Sequence, residues 1–198
     1  MRTLVLATNN ENKVAEIRSV LGGQFKIISL KEAGIFIDIP EPHDTLEDNA
    51  REKATTIHKL TGNDCFAEDT GLEVSALRGE PGVRSARYAG DQADFKQNIG
   101  KLLRNLDGQT ERNASFRTII SLIIDGSEYQ FEGICKGLIT KELSGDHGFG
   151  YDPVFIPEGG NKTFAEMSMN EKNDFSHRRK AVDKLVDFLN SYNGETQN

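Results

Sequence analysis

Cysteine is scarce in this 198-residue chain, at Cys65 and Cys135 only. The two lie far apart in apolar runs, Cys-Phe-Ala and Gly-Ile-Cys. Without a Cys-x-x-Cys spacing a zinc or redox site is not indicated, and buried thiols in a reducing compartment are expected. Long hydrophobic runs are missing too. None approaches the roughly 20 apolar residues of a membrane helix. The opening Met1-Arg2-Thr3-Leu4-Val5-Leu6-Ala7 is too short an apolar run for a signal peptide and reads as a strand. A soluble cytoplasmic protein with no membrane partner is the expectation. Positive charge is also in short supply, with 24 Lys and Arg against 31 Asp and Glu and a net charge of −7. Gripping a nucleic-acid polymer requires a continuous basic face, which argues against such a partner. A small anion is still admissible if local lysines or a metal neutralise it.

What is present is an alternation of strands and helices. The length suits one domain over residues 1–193, with two lobes around a central cleft and a disordered tail at 194–198. Strand Thr3–Ala7 runs through Thr8-Asn9-Asn10 into a helix over Glu11–Leu21, stopped by Gly22-Gly23. Strands are expected at Lys26–Leu30 and Ile35–Ile39, the latter closed by Pro40 and Pro42. Asp44-Thr45 cap a helix to about Leu60, with Leu46, Ala50, Ala54, Ile57 and Leu60 inward. Short strands follow at Cys65–Glu68 and Gly71–Leu77, then a Gly/Pro loop and a helix from Ala93 to Leu106. Strands Ser115–Ile124 and Glu128–Ile139 are joined by Asp125-Gly126, a hairpin signal. A helix over Ser176–Tyr192 ends the pattern. The order predicts an α/β fold: a mixed twisted sheet with flanking helices.

Five prolines serve the whole chain, and two fall within Gly148-Phe149-Gly150-Tyr151-Asp152-Pro153-Val154-Phe155-Ile156-Pro157. Such a segment cannot be a helix. It builds a rigid wall of flat rings that a planar heterocycle would fit, or a tight turn entering a buried strand at Val154–Ile156.

Four polar constellations sit at element ends, where α/β proteins place their sites. Thr8-Asn9-Asn10-Glu11-Asn12-Lys13 opens a helix, suiting a phosphate or an ordinary cap. Glu47, Asn49 and Lys53 lie on the next helix, on a face that also reads as solvated exterior. Glu68-Asp69-Thr70-Gly71 ends a buried apolar strand. Charges there are costly unless paired or bound to metal, and the period of two sends the neighbours to opposite faces. With Glu47 they would suit Mg²⁺, although a plain turn is the alternative. Lys172 and Ser176-His177-Arg178-Arg179 place cations at a helix start, against its dipole, as though facing an anion or polar ligand.

Thr8-Asn9-Asn10-x-x-Lys13, Glu47-x-Asn49-Ala50, Glu68-Asp69-Thr70-Gly71-Leu72, Gly82-Val83-x-Ser85-Ala86-Arg87-Tyr88, Gly148–Pro153 and Ser176-His177-Arg178 occur in this order. Together they resemble the inosine/xanthosine triphosphate pyrophosphatase family from Leu4 to about Leu189. Where many members carry Asp-Asp-Ser-Gly, this chain has Glu68-Asp69-Thr70-Gly71. The resemblance implies Mg²⁺-dependent hydrolysis of non-standard purine triphosphates (ITP, dITP, XTP) by a homodimer. By position it makes Asp69 the general base and sets Glu47, Glu68 and Asp69 around the metal. It assigns Thr8 to Lys13, Lys53 and Lys172 to the triphosphate, and Phe149 to the base as a stacking face. Asp152, His177 and Arg178 read the base edge, with Thr70, Gly150 and Tyr151 alongside in the substrate site.

Chemistry is consistent with these roles. Arg178 has donors only, so it would donate to a 6-oxygen and be left unpaired against a 6-amino group. A site built on such a bond can discriminate by ~10⁴. Two rivals stay open: a Maf-like pyrophosphatase acting on modified or pyrimidine nucleotides, and a non-enzymatic nucleotide sensor. The aromatic loop with Ser176-His177-Arg178 argues against the first, and Asp69 beside Glu68 argues against the second.

Overall fold

Side chains that alternate across β-strands decide which way the carboxylates Glu68 and Asp69 point. The computed structural model describes residues 3–21, 25–92 and 94–192. The expected stop at Gly22-Gly23, the helix start at Ala93 and the tail at 194–198 lie outside them. In chain order the elements are β1 (Thr3–Leu6), α1 (Glu11–Leu21), β2 (Lys26–Ser29), α2 (Leu46–Thr61), β3 (Cys65–Val74) and β4 (Pro81–Gly82). They continue as α3 (Phe95–Asn105), β5 (Asn113–Ile124), β6 (Ser127–Ile139), β7 (Phe155–Pro157), α4 (Met169–Phe175) and α5 (His177–Ser191).

The strands bond in the order β2-β1-β3-β5-β6-β7, and β4 also joins β3. β1 runs parallel to β2 and β3, while β4 and β7 are antiparallel to β3 and β6. This is the mixed sheet with flanking helices that the element order predicts.

Contacts group the chain into two compact units: Met1–Asp69 with Thr118–Gly133 and Arg178–Asn198, and Thr70–Arg117 with Ile134–His177. In the first unit, Leu4, Leu6, Phe66, Ile120, Leu122 and Ile124 pack with Val14 and Ile17 of α1 and with Ala181, Val182 and Leu185 of α5. The residues between them, Val5, Cys65, Ala67 and Ile123, pack with Ala54 and Ile57 of α2. One face of these strands is therefore covered by α1 and α5, the other by α2. Each fully buried Leu or Ile contributes about 1.5–3 kcal/mol. The second unit has its own core, including Leu72, Ile99, Leu102, Phe116, Phe155 and Phe164.

Local signals explain most boundaries. Thr45 caps α2 by accepting from the Asp48 N–H, and Gly62, at φ 67°, ends it. Asp125 and Gly126, at φ 49° and 77°, make the expected hairpin turn.

Four expectations are corrected. Ile35–Ile39 is not a strand. Ile35, Ile37 and Ile39 do pack on the α2-side core while Phe36 is 80% exposed, so the alternation exists without a ladder. Cys65–Glu68 and Gly71–Leu77 are not separate strands but share β3, followed by a 3₁₀ turn at Ser75–Leu77. Gly71 is there because a Cβ would lie 2.7 Å from the Gly82 oxygen of β4, a close approach rather than a break. Leu60 is exposed, since the apolar contacts of α2 end at Ile57. Finally, α4 precedes the last helix, opened by a Ser168/Glu171 capping box.

Candidate active site

Glu68 follows Phe66 onto the α1/α5 face of β3, and Asp69 follows Cys65 and Ala67 onto the α2 face. On the first face Arg178 grips Glu68 with two bonds, Nε to Oε2 at 2.7 Å and Nη2 to Oε1 at 3.1 Å. The Lys13 ammonium stands 3.0 Å from the same Oε1, and Arg178 Nη1 donates to Glu16 Oε2. Glu16, Glu68 and Arg178 are all buried. Burial alone would raise the Glu68 pKa, but Arg178 and Lys13 outweigh it and hold the carboxyl well below the usual range. For Arg178, burial lowers the pKa and the two glutamates more than reverse it.

On the α2 face, Lys53 Nζ donates to Asp69 Oδ1 at 3.0 Å and to Glu41 Oε1 at 2.7 Å. Burial would lower the Lys53 pKa, yet Asp69 and Glu41 raise it overall. The other Asp69 oxygen, Oδ2, is buried and has no hydrogen-bond partner. Burial lifts the Asp69 carboxyl above its ordinary value. Lys53 and Lys13 pull it down, while Glu41 adds to the rise. A buried acceptor without a donor is destabilising, and a carboxylate poised high is suited to take a proton.

At the start of α1 the chain fills its own cap. Asn10 Oδ1 accepts from the N–H groups of Asn12 and Lys13, at 3.0 and 3.3 Å, and Thr8 Oγ1 accepts from the Asn10 N–H. Asn9 donates its amide to the Ile37 carbonyl, and Glu11 is exposed near Lys31. Of the six residues from Thr8 to Lys13, Lys13 is the one carried to Glu68.

The second unit assembles the aromatic loop. Asp152 Oδ2 accepts from the Phe149 N–H at 2.9 Å and from Lys172 Nζ at 2.7 Å. That ammonium lies 5.3 Å from the Phe149 ring centroid and 5.2 Å from that of Phe164. Phe95 stands 6.1 Å from Phe149, and His177 stacks on Phe116 at 4.6 Å. Gly148, at φ 74°, is required, because a Cβ would fall 2.1 Å from Asp152 Oδ2. Gly150 also has positive φ, at 63°. Thr70 is half-buried on β3, where the second unit's share of that strand begins.

Several expected roles meet a different geometry. Arg178 donates to the carboxylates of Glu68 and Glu16, which fix its guanidinium at the start of α5. Lys172, expected on the triphosphate, pairs with Asp152 beneath the aromatic loop. Tyr151 is buried and donates its hydroxyl to the Ser85 carbonyl, a tie within the core. Among the described residues no three His, Cys, Asp or Glu side chains converge on a cation position. Of the expected set of Glu47, Glu68 and Asp69, the last two face opposite sides of β3, and Glu68 is paired with Arg178 and Lys13. The backbone oxygen of Glu47 accepts from Gln130. The α2 face does fit a hard cation, through the open Asp69 Oδ2 and the nearby Glu41 oxygens.

Glu16 and Glu41 had not been singled out. Glu16 lies three residues after Lys13 on the same helical flank, and Glu41 is fixed between Pro40 and Pro42; both signals are readable in the sequence.

The sequence model of the Ham1 family matches residues 4–188. The chain is 52% identical over 186 residues to the dITP/XTP pyrophosphatase of Flavobacterium johnsoniae, covering 94% of this chain and 97% of that one. It is 52% identical over 190 residues to the dITP/XTP pyrophosphatase of Porphyromonas gingivalis, with 96% and 98% covered. Among solved structures, the Staphylococcus aureus Ham1 protein superposes with a TM-score of 0.86 at 37% identity over 96% of this chain and 98% of that one. The HAM1 protein of Coxiella burnetii gives 0.88 at 36% identity, over 97% and 100%.

Proposed function

Because this chain belongs to the Ham1 family, we propose that it hydrolyses dITP, ITP and XTP to the monophosphate and pyrophosphate, removing deaminated purines from the nucleotide pool. The observation that carries the reading is Asp69 Oδ2, a buried carboxylate oxygen with no hydrogen-bond partner. A water held there would be oriented for attack on the α-phosphorus. Its oxygen bonds to phosphorus, its proton passes to Asp69, and pyrophosphate leaves with the electrons of the broken P–O bond. Lys53 fixes Asp69 through Oδ1, which leaves the two lone pairs of Oδ2 to the water and to a cation that would share it. Lys13 and Lys53 supply positive charge to the triphosphate.

Asp69 and Glu41 would hold a Mg²⁺ ion. When bound, such an ion neutralises charge on the phosphate oxygens. Phe149 offers the base a flat face, with Asp152 and Lys172 fixing its loop. The family resemblance supports a homodimer, and two separate buried thiols are in keeping with a cytoplasmic setting.

The test is pyrophosphate release from dITP, ITP, XTP, GTP, ATP and UTP, with Mg²⁺ or with EDTA. Rapid turnover of the first three with Mg²⁺ is expected, with little of the others. No turnover of any of the three refutes the activity, and full activity in EDTA refutes the metal dependence.

A further inference from the structure

Glu128 stands at the start of β6 and gathers donors from three directions. Arg51 of α2 donates its Nε to both carboxylate oxygens, at 3.2 and 2.9 Å. The hydroxyl of Ser121, fully buried on β5, donates to Oε1 at 2.9 Å. Gln130 donates to the same oxygen at 3.0 Å. Its amide nitrogen also reaches the Glu47 backbone oxygen, in the first turn of α2, at 3.1 Å. Arg51 is steadied in turn by Asp48, one helical turn before it. The β5–β6 hairpin thereby grips the start of α2 at two points, a backbone carbonyl and a guanidinium.

The side chains of Arg51 and Glu128 are 48% and 30% exposed, so the ion pair contributes little to stability. Its placement is the informative property. Ala50 and Ala54 of α2 are fully buried, and side chains this small give little relief to stop a helix sliding along its axis. Lys53 leaves the same helix about 9 Å along the axis from Glu47. Its ammonium reaches Asp69 Oδ1 and Glu41 Oε1. A hydrogen-bonded helix is stiff over that length, so a slip at Glu47 and Arg51 arrives undiminished at Lys53.

We propose that Glu128 is a positioning residue for the candidate active site, fixing α2 through Arg51 and Gln130 so that Lys53 meets Asp69. The proposal rests on the pyrophosphatase reading in taking Lys53 and Asp69 as working groups. Among the described residues Glu128 makes no hydrogen bond or ion pair with either of them, so it acts through the helix. A misplacement of about 1 Å at such a group costs ~10²-fold in rate.

The experiment measures kcat and KM for dITP with Mg²⁺, and binding of inorganic tripolyphosphate in Mg²⁺-free buffer by calorimetry. The proteins are wild type, Glu128→Ala, Glu128→Gln, Lys53→Met and the double variant Glu128→Ala/Lys53→Met, each assayed well below its thermal unfolding midpoint. Glu128→Ala should lower kcat by about 10- to 100-fold. It should weaken tripolyphosphate binding by about tenfold, the scale of one charge-assisted contact. Glu128→Gln keeps an acceptor for Ser121 and Gln130 and should stay within about threefold of wild type. The double variant should stay within about twofold of Lys53→Met alone, the non-additivity of residues acting in series. A lowered unfolding midpoint with unchanged kcat means a merely structural role and overturns the proposal. Losses that multiply in the double variant overturn it too, as does a loss in Glu128→Gln equal to that in Glu128→Ala. Should Glu128→Ala fail to fold, Arg51→Ala releases the same grip from its exposed side and repeats the cycle. Wild type that turns over no dITP refutes the proposed activity. The tripolyphosphate cycle then decides the positioning role alone, and equal weakening by Glu128→Ala with and without Lys53 overturns it.

Discussion

Glu68 and Asp69 are neighbours in the chain that face opposite sides of β3 and are shifted in opposite directions, Glu68 down and Asp69 up. The alternation of one strand sets each carboxylate against a different helix and a different main cation, Arg178 for Glu68 and Lys53 for Asp69, with Lys13 acting on both. Glu68 is held ionised by its cations, and in the proposed mechanism Asp69 takes the proton of the attacking water.

Asp69→Asn should lower kcat by ~10³-fold, within the range for loss of a general base. Tripolyphosphate binding should survive, and its loss would make Asp69 a structural residue. In the wild type the working form is the carboxylate, whose pKa burial raises above the ordinary 3.8. Activity should therefore fall, as pH is lowered, at a higher pH than an exposed Asp would give. A pH profile of kcat/KM reads this directly.

Glu68→Gln should destabilise the protein by about 3 kcal/mol at pH 7, the scale of a broken buried ion pair. Its folded pKa is depressed, so its contribution is fully present above the unfolded value near 4.5 and disappears as pH falls through the lower folded value. Wild type and variant should converge in denaturant titrations as pH drops below about 4.5. A gap that stays constant with pH would deny the linkage.

Phe149→Ala should raise KM for dITP by about 10- to 100-fold, corresponding to the ~1–3 kcal/mol of a base-stacking contact. Phe149→Trp should keep most of the affinity. Equal losses in both variants would mean that the ring serves only the loop.

Gly148→Ala places a Cβ against Asp152 Oδ2 at a backbone angle that L-residues rarely adopt. Gly71→Ala drives one into the Gly82 carbonyl instead. Each should cost about 1–3 kcal/mol in unfolding titrations. Only Gly148→Ala should also raise KM for dITP, because it moves the carboxylate that holds the Phe149 loop.

Periodicity made the fold legible wherever local signals agree with packing. The caps of α2 and the Asp125-Gly126 hairpin are written in single residues, and the apolar stripes of α1 and α5 set the faces. It misled at Ile35–Ile39, where alternation reports one-sided burial with no strand alongside. It misled again at Gly71, since only the approaching β4 backbone distinguishes a close contact from a break. Motif order marked the aromatic loop, Asp69 and Lys53. The partnership of Arg178 with Glu68 joins residues 110 apart in the chain, and no local pattern carries it.

The two cysteines give the fold a pair of built-in reporters. Cys65 lies in the first unit, its thiol donating to the Ala54 carbonyl and pushed up to about 12, chiefly by burial. Cys135 is buried in the second unit. A thiol held this far from ionisation reacts only when its surroundings open. The labelling rates of Cys65 and Cys135 with an alkylating reagent therefore time the opening of each unit separately. Slowing of either rate by bound nucleotide shows which half of the chain the ligand braces.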